Sequence, residues 1–188
     1  MINKIHTDVR PIQTNWHVIT GAPSSGKTTV INQLARKGLR VKHEVARAYI
    51  DQRLANGETL EQIKTDPLAF ERHILLTKVN IEKMLPPRDI IFLDRAVPDS
   101  IAYFELEGLA VNEPTILSRH MHYKTIFLFE RLAFEKDCVR WEDHDQAARL
   151  EVLLARAYAD LGYAITHVPL MSVEDRVDFV LEHVGIFT

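Results

Sequence analysis

The stretch GAPSSGKTTV, residues 21–30, constrains the fold of this chain more than any other feature. It matches the pattern G-x-x-x-x-G-K-[ST] at every defined position, and these positions are Gly21, Gly26, Lys27 and Thr28. An apolar, β-branched run at 16–20 precedes the match, and apolar residues at helical spacing follow it. Strand, glycine loop and helix therefore occur in the order that a phosphate-binding loop requires. The alternative, a plain Gly/Ser/Pro turn before an ordinary helix, does not explain these flanks.

Each residue type in this loop has a physical reason. Glycines at 21 and 26 allow backbone angles and a close approach that a Cβ would block, so successive N–H groups can surround phosphate oxygens. The helix N-terminus that follows favours negative charge through its unpaired N–H groups and its dipole. We expect Lys27 to reach the β- and γ-phosphates and Thr28 to complete the coordination of Mg²⁺. The predicted phosphate-binding residues are Gly21, Ala22, Pro23, Ser24, Ser25, Gly26, Lys27, Thr28 and Thr29.

Composition and charge exclude several classes of protein. With 188 residues, 46% of them hydrophobic and 26% charged, we expect one soluble domain over 1–188. A net charge of −3 argues against a general nucleic-acid binder, which needs a basic face. No apolar run approaches the length that spans a bilayer, and the N-terminus lacks the apolar core of a secretory signal. With a single cysteine, Cys138, the sequence favours a cytoplasmic protein and leaves open whether it forms a homo-oligomer.

Strand and helix patterns alternate along the chain. We expect strands near 16–20, 40–45, 89–94, 124–129 and 163–168. Helices are expected near 27–37, 46–56, 66–84, 99–107, 143–161 and 173–184. Right-handed crossovers place helices on both faces of a parallel sheet. The pattern thus predicts a three-layer α/β/α fold around a five-stranded parallel sheet, for which we expect the order 2-3-1-4-5.

Two carboxylates end predicted strands at the edge where open α/β sheets bind ligands. Asp94 is expected to hold Mg²⁺ or to orient an acceptor hydroxyl, and Arg95 offers a planar fork for phosphate or carboxylate. Glu44 is expected to face the same crevice and to take a proton from an acceptor hydroxyl. The alternatives are a surface ion pair at Asp94 and Arg95, and a helix-terminal Glu44 paired with Arg47.

A cationic segment follows the fourth predicted strand. Within ten residues it carries Arg131, Lys136 and Arg140. Mobile cations stabilise the charge that phosphoryl transfer spreads over equatorial oxygens. We predict a small lid at about 131–141, in which Arg140 is catalytic, Trp141 anchors the closed position, and Arg131 and Lys136 contact the nucleotide. The alternative is a solvated loop whose charges pair with neighbouring Glu and Asp.

Four segments of the chain resemble a known group of proteins. They are GAPSSGKT, HEVARAYID, DRAVPDSIAYFELEG and VRWEDHDQAARLEVLLARAYADLGY. From about residue 16 to residue 184 the chain resembles the NadR-like AAA-domain ATPases. That group is similar to the ribosylnicotinamide kinase domain and, more distantly, to thymidylate and deoxynucleoside kinases. The resemblance implies a P-loop NTPase fold with ATP and Mg²⁺ as cofactors, served by Lys27 and Thr28.

The resemblance also implies a site for a phosphoryl acceptor. The thymidylate kinase pattern D-R-x-x-x-x-S-x-x-A-Y is met at Asp94, Arg95 and Ser100, but Ala102 comes one residue early. Glu44 looks like the carboxylate that ends the second strand in related nucleoside kinases, where it acts as base or binds the acceptor. The residues expected to bind the acceptor are Glu44, Arg47, Arg95, Ser100 and Tyr103. Those expected to take part in catalysis are Lys27, Glu44, Asp94 and Arg140.

Two classes of function follow from these patterns. The first is a kinase that transfers the ATP γ-phosphoryl group to a small nucleoside-like or nucleotide-like molecule. The second is a regulatory ATPase or nucleotide-dependent switch without a small-molecule acceptor. The sequence contains no Asn-Lys-x-Asp motif of the kind that reads guanine. Acidic residues at two crevice positions indicate an acceptor pocket, so the sequence favours the kinase.

Overall fold

The structure, a computed structural model, describes residues 10–131 and 144–186. Its strands are β1 (Ile12–Gln13), β2 (Trp16–Thr20), β3 (Val41–Lys42), β4 (Ile91–Asp94), β5 (Met121–His122), β6 (Thr125–Phe129) and β7 (Ile165–Val168). Its helices are α1 (Lys27–Arg36), α2 (Val45–Ala55), α3 (Leu60–Ile63), α4 (Pro67–Met84), α5 (Asp99–Leu106), α6 (Asn112–Leu117), α7 (His144–Asp160) and α8 (Val173–His183). Among these described helices, none is long and apolar enough to cross a membrane.

Five of the strands form one parallel sheet in the order β3-β4-β2-β6-β7. Counted along the chain among these five, the order is 2-3-1-4-5, which confirms the expectation from the sequence. The central strand β2 is buried over its whole length, between β4 and β6. Because the strands are parallel, their carboxyl ends meet at one edge. Gly21, Arg95 and Glu130 follow three neighbouring strands at that edge.

The core consists of an apolar layer on each face of the sheet. Successive side chains of a strand point to opposite faces, so Val18 and Ile19 of β2 belong to different layers. The layer that contains Ile19 includes the inward side chains of α1 and α8. The layer that contains Val18 includes Tyr158 of α7 and Leu85, the C-cap residue of α4. Helices therefore cover both faces, as the three-layer prediction requires.

Several short elements differ from the predicted ones. Strands β1 and β5 pair as a separate two-stranded parallel sheet, and α3 and α6 are short helices. Strands of two residues and helices of four to six are too short to show a periodic pattern, so the sequence did not predict them. The strand expected at 40–45 covers only Val41–Lys42. Glu44 consequently lies beyond the strand, at the N-cap of α2.

Candidate active site

The glycine loop between β2 and α1 turns through three residues with positive φ. These are Gly21 (141°), Ser24 (62°) and Gly26 (80°). A Cβ at Gly21 would lie 2.6 Å from the backbone oxygen of Phe129, so the loop passes tightly against the end of β6. Gly26 is the N-cap of α1 in the left-handed region, which glycine adopts readily. The backbone therefore requires glycine at both positions that the motif defines.

Lys27, the first residue of α1, folds back into this loop. Its Nζ donates to the carbonyl oxygen of Ala22 at 2.8 Å and to Oγ of Ser25 at 2.9 Å. The side chain is only 5% exposed. Burial and, to a smaller extent, nearby Arg95 lower the pKa of Lys27 to about 7, against the opposing effect of the surrounding carboxylates. Two of the three ammonium hydrogens are used within the loop, and a bound phosphate would favour the charged form.

Asp94 presents a carboxylate without any donor. Both of its oxygens are buried and have no hydrogen-bond partner among the described residues. Burial and the neighbouring charge of Glu44 raise the pKa of Asp94 to about 6. Thr28 is exposed in the first turn of α1, so its hydroxyl is accessible. Oxygen ligands of this kind suit Mg²⁺, and a cation would compensate the otherwise costly burial of this carboxylate.

Arg95 joins the crevice carboxylates to the buried interior. Its Nε donates to Glu44 Oε1 at 3.1 Å, and its Nη1 donates to Asp99 Oδ1 at 3.2 Å. The guanidinium lies 5.2 Å from the ring centroid of Tyr103. The side chains of Arg95 and Asp99 are almost fully buried, whereas 24% of the Glu44 side chain is exposed. Glu44 is therefore the accessible carboxylate of this group, and Arg95 fixes its position.

Asp99, which the sequence analysis did not single out, holds Arg95 on the buried side of its guanidinium. It accepts hydrogen bonds from the hydroxyls of Thr20 and Tyr158, both at 2.5 Å, and from the backbone N–H of Ala96 at 2.9 Å. Although burial opposes it, Arg95 is the strongest of the influences that lower the pKa of Asp99. Hydrogen bonds to Asp99 thus connect the last residue of β2, the start of α5 and helix α7.

The other residues expected to bind the acceptor occupy different positions. Ser100 is 1% exposed, and its Oγ accepts a hydrogen bond from Nζ of Lys78 at 3.3 Å. Arg47 lies on the surface of α2 and pairs with Asp51 at 3.0 Å. The alternative pairing of Glu44 with Arg47 is therefore wrong, because Glu44 pairs with Arg95 instead.

The predicted lid falls mainly on residues that the structure does not describe. Arg131, half-buried, lies two residues beyond the end of β6 and is the last described residue before the gap. Lys136 and Arg140 lie outside the described residues. Their roles over the phosphates remain predictions.

Arg176 of α8 is a site residue that the sequence reasoning missed. It is 2% exposed and donates to three backbone carbonyl oxygens: Ser25 at 2.6 Å, Pro169 at 3.1 Å and Glu130 at 3.3 Å. The guanidinium also lies 5.2 Å from the ring centroid of Phe129. It therefore joins the phosphate loop to the ends of β6 and β7. Its sequence signal is an arginine within the apolar face of an amphipathic helix.

The strand order and the glycine loop after the central strand define a P-loop NTPase fold. Residues 16–176 match the family model described as AAA domain, and the chain belongs to this family. No curated protein matches the sequence significantly.

Solved structures share this fold at low sequence identity. A NadR protein in complex with NR has a TM-score of 0.68 and 19% identity, over 93% of this chain and 52% of its own. For a thymidylate kinase from Ehrlichia chaffeensis the TM-score is 0.65 and the identity 14%, over 94% of this chain and 100% of its own. For a deoxyadenosine kinase from M. mycoides the TM-score is 0.63 and the identity 12%, over 90% of this chain and 98% of its own. The chain thus spans about half the length of the NadR chain, and the expected fold is confirmed.

Proposed function

We propose that this protein is a kinase that transfers the γ-phosphoryl group of ATP to a hydroxyl of a nucleoside-like small molecule. One observation carries the proposal: an accessible carboxylate, Glu44, is held by buried Arg95, which follows the end of β4, the strand that pairs with β2 in front of the phosphate loop. The charge of Glu44 raises the pKa of both Lys27 and Asp94, which supports assigning the three groups to one crevice. The shared fold with proteins named as thymidylate and deoxyadenosine kinases supports a phosphotransferase.

The ATP side of the crevice is assigned to the glycine loop and its neighbours. The loop N–H groups and Lys27 bind the β- and γ-phosphates. The hydroxyl of Thr28 and the carboxylate of Asp94 hold Mg²⁺, which neutralises phosphate charge when it is bound. The burial of both Asp94 oxygens without a donor is the observation that supports this assignment.

The acceptor side is assigned to Glu44 and Arg95. Glu44 takes the proton of the acceptor hydroxyl while the hydroxyl oxygen bonds to the γ-phosphorus and the bond to the β–γ bridging oxygen of ATP breaks. The products are ADP and the phosphorylated acceptor. Arg95 keeps Glu44 oriented through the 3.1 Å hydrogen bond to its Nε. Because 24% of the Glu44 side chain is exposed, an acceptor can reach it.

The charges of the crevice favour a neutral acceptor over one that already carries a phosphate. Within the part of the chain that the structure describes, Arg95 is engaged by two carboxylates and Lys78 by the hydroxyl of Ser100. A phosphate on the acceptor would also approach Glu44 and Asp94, and like charges repel strongly at low dielectric. A nucleoside fits this distribution better than a nucleoside monophosphate.

Acceptor-stimulated ADP release tests this proposal. Purified protein is incubated with ATP and Mg²⁺, and ADP formation is measured with matched nucleosides and nucleoside monophosphates. We expect stimulation by at least one nucleoside, weaker stimulation by its monophosphate, and neither in Lys27→Ala. Constant ADP release regardless of acceptor would contradict the kinase and favour the regulatory ATPase.

A further inference from the structure

Helices α5, α6 and α7 border a cavity that contains none of the residues assigned to phosphate or acceptor binding. Its volume is about 350 Å³, at the lower end of the range of roughly 300–1,000 Å³ that small-molecule sites occupy. The buried side chains of Ile101, Leu153 and Ala157 form an apolar floor. Val111 and Leu161, both half-buried, extend this apolar surface. The cavity can therefore bury an apolar group of a ligand.

Four charged side chains line the cavity above this floor. Glu105 of α5 and Arg156 of α7 form an ion pair with each other. The pKa of Arg156 is raised chiefly by its hydrogen bond to Glu105, and Asp160 contributes less. The exposed side chains of Arg119, which follows α6, and Asp160, the last residue of α7, form no hydrogen bond or ion pair with any residue of 10–131 or 144–186. One cation and one anion on the rim are therefore available to a ligand.

The two available charges indicate the class of ligand. A carboxylate suits Arg119, whose planar guanidinium can donate two parallel hydrogen bonds to it. An ammonium group suits the carboxylate of Asp160, which only accepts hydrogen bonds when ionised. A ligand with a single charge would meet the like charge of one of these two residues. A compact zwitterion with an apolar side chain complements both charges and the floor.

We propose that this cavity is a second small-molecule site, which binds a zwitterionic amino acid with an apolar side chain. The ligand carboxylate contacts Arg119, and the ligand ammonium contacts Asp160. The apolar side chain of the ligand lies against the floor of the cavity. Binding at this site does not depend on the proposed kinase function.

The cavity adjoins the hydrogen-bond network of Asp99. Ile101 lies two residues after Asp99 on α5, and Ala157 immediately precedes Tyr158 on α7. The hydroxyl of Tyr158 donates to Asp99 at 2.5 Å, and Asp99 also accepts from Arg95 at 3.2 Å. A ligand that contacts α5 and α7 together therefore favours the arrangement in which this network is formed. Its effect on the acceptor side of the active site rests on the proposed kinase function.

Titration calorimetry with L-leucine and L-phenylalanine tests the site without a kinase assay. Two analogues are the ligand controls: phenethylamine lacks the carboxylate of phenylalanine, and 3-phenylpropanoate lacks its ammonium group. Arg119→Gln and Asp160→Asn each remove one charge from the rim. Arg149→Gln is the matched control, because Arg149 is exposed on α7 but does not line the cavity.

The wild type is expected to bind at least one of the two amino acids with a Kd of about 1 mM or below. Arg119→Gln and Asp160→Asn are each expected to raise this Kd about fivefold or more, because each removes a charge-assisted contact. Both residues are exposed, so the variants are expected to unfold at the temperature of the wild type. Arg149→Gln is expected to bind as the wild type does, and both analogues are expected to bind about fivefold more weakly than phenylalanine.

The outcomes separate this inference from the kinase proposal. If neither amino acid binds the wild type at about 10 mM, the inference is overturned and the kinase stands. Binding that Arg119→Gln and Asp160→Asn leave unchanged, or that either analogue equals, also overturns it. If no acceptor is phosphorylated, the kinase proposal fails, while calorimetry still decides the site.

Acceptor kinetics test the connection through Asp99. A bound amino acid is expected to raise kcat/KM for the acceptor about fivefold or more in the wild type, because it favours the arrangement in which Asp99 holds Arg95. The same addition is expected to have no effect on Arg119→Gln. Unchanged kinetics despite measured binding would overturn the connection.

Discussion

Arg176 donates a hydrogen bond of 2.6 Å to the carbonyl oxygen of Ser25, although the two residues are 151 positions apart in the chain. The C=O of Ser25 and the N–H of Gly26 belong to one trans peptide unit and point in opposite directions. Holding the carbonyl towards Arg176 therefore fixes the direction of the Gly26 N–H at the start of α1. The buried guanidinium also brings a positive charge close to the loop.

Replacing Arg176 is expected to weaken ATP binding. Arg176→Lys keeps the charge but cannot donate to three carbonyl oxygens in the same planar geometry. Loss of a hydrogen bond from a charged group costs roughly 1.5–3 kcal/mol, so we expect the Kd for ATP to rise about tenfold to a hundredfold. Titration calorimetry measures the change, with Arg36→Lys in the exposed last turn of α1 as the control. An unchanged Kd in Arg176→Lys would show that the loop does not depend on this hydrogen bond.

Glu44→Gln is expected to lose phosphoryl transfer while ATP still binds. The amide keeps the shape of the side chain but cannot take the proton of the acceptor hydroxyl, and general-base assistance is worth about 10²–10⁴ in rate. Single-turnover transfer and ATP titration separate the two effects. Glu61→Gln, on the exposed surface of α3, is the matched control. Transfer at the wild-type rate in Glu44→Gln would rule out Glu44 as the base.

Asp94→Asn is expected to reduce the dependence of ATP affinity on Mg²⁺. The wild type should bind ATP more tightly with Mg²⁺ than with a chelator present, because in the proposed site the buried carboxylate oxygens of Asp94 would coordinate the Mg²⁺ that accompanies ATP. An amide is a weaker ligand for a hard cation, so the ratio of the two Kd values should fall towards one. A ratio equal to that of the wild type would exclude Asp94 from the magnesium site.

The raised pKa of Glu71 predicts a pH dependence of stability. In the folded protein, burial raises this pKa to about 7, against an ordinary value of 4.5. Between these values the folded state binds more protons than the unfolded state, so the free energy of unfolding falls as pH rises. The contribution of Glu71 is present below pH 4.5 and is lost by about pH 7, a change of about 3 kcal/mol.

Urea unfolding of the wild type and Glu71→Gln across this pH range measures the effect. The glutamine variant has no proton to lose at this position. Its free energy of unfolding should therefore fall by about 3 kcal/mol less than that of the wild type as the pH rises. Parallel curves would mean that Glu71 ionises alike in the folded and unfolded chain.

The parts of the structure that the sequence predicted are encoded locally. A glycine loop is specified by consecutive residues, and strands such as β2 and β4 are short apolar runs. The position of Asp94 and Arg95 at the carboxyl edge of the sheet followed from the end of such a run. Glu44 was expected at the end of a strand but occupies the N-cap position of α2, because β3, which pairs with β4 alone at the sheet edge, has only two residues.

The interactions that the sequence did not predict connect distant segments. Asp99 is 79 residues from Thr20 and 59 from Tyr158, and no local pattern identifies these partners. Arg176 lies within the otherwise apolar buried face of α8, and Glu71 is buried on α4 together with Lys78 and Glu82. Only the packing of α4, α5 and α8 against the sheet reveals that these charges are buried. Such roles depend on tertiary contacts that a single sequence does not display.

Transfer of a radiolabelled γ-phosphoryl group from ATP to a nucleoside is the most direct test of the central claim. Wild-type protein with Mg²⁺, labelled ATP and a nucleoside panel is predicted to yield a labelled nucleoside monophosphate. Lys27→Ala is predicted to yield none, because it lacks the lysine to which we assign the phosphate contacts. Release of the label only as inorganic phosphate, at a rate independent of every nucleoside, would contradict the claim.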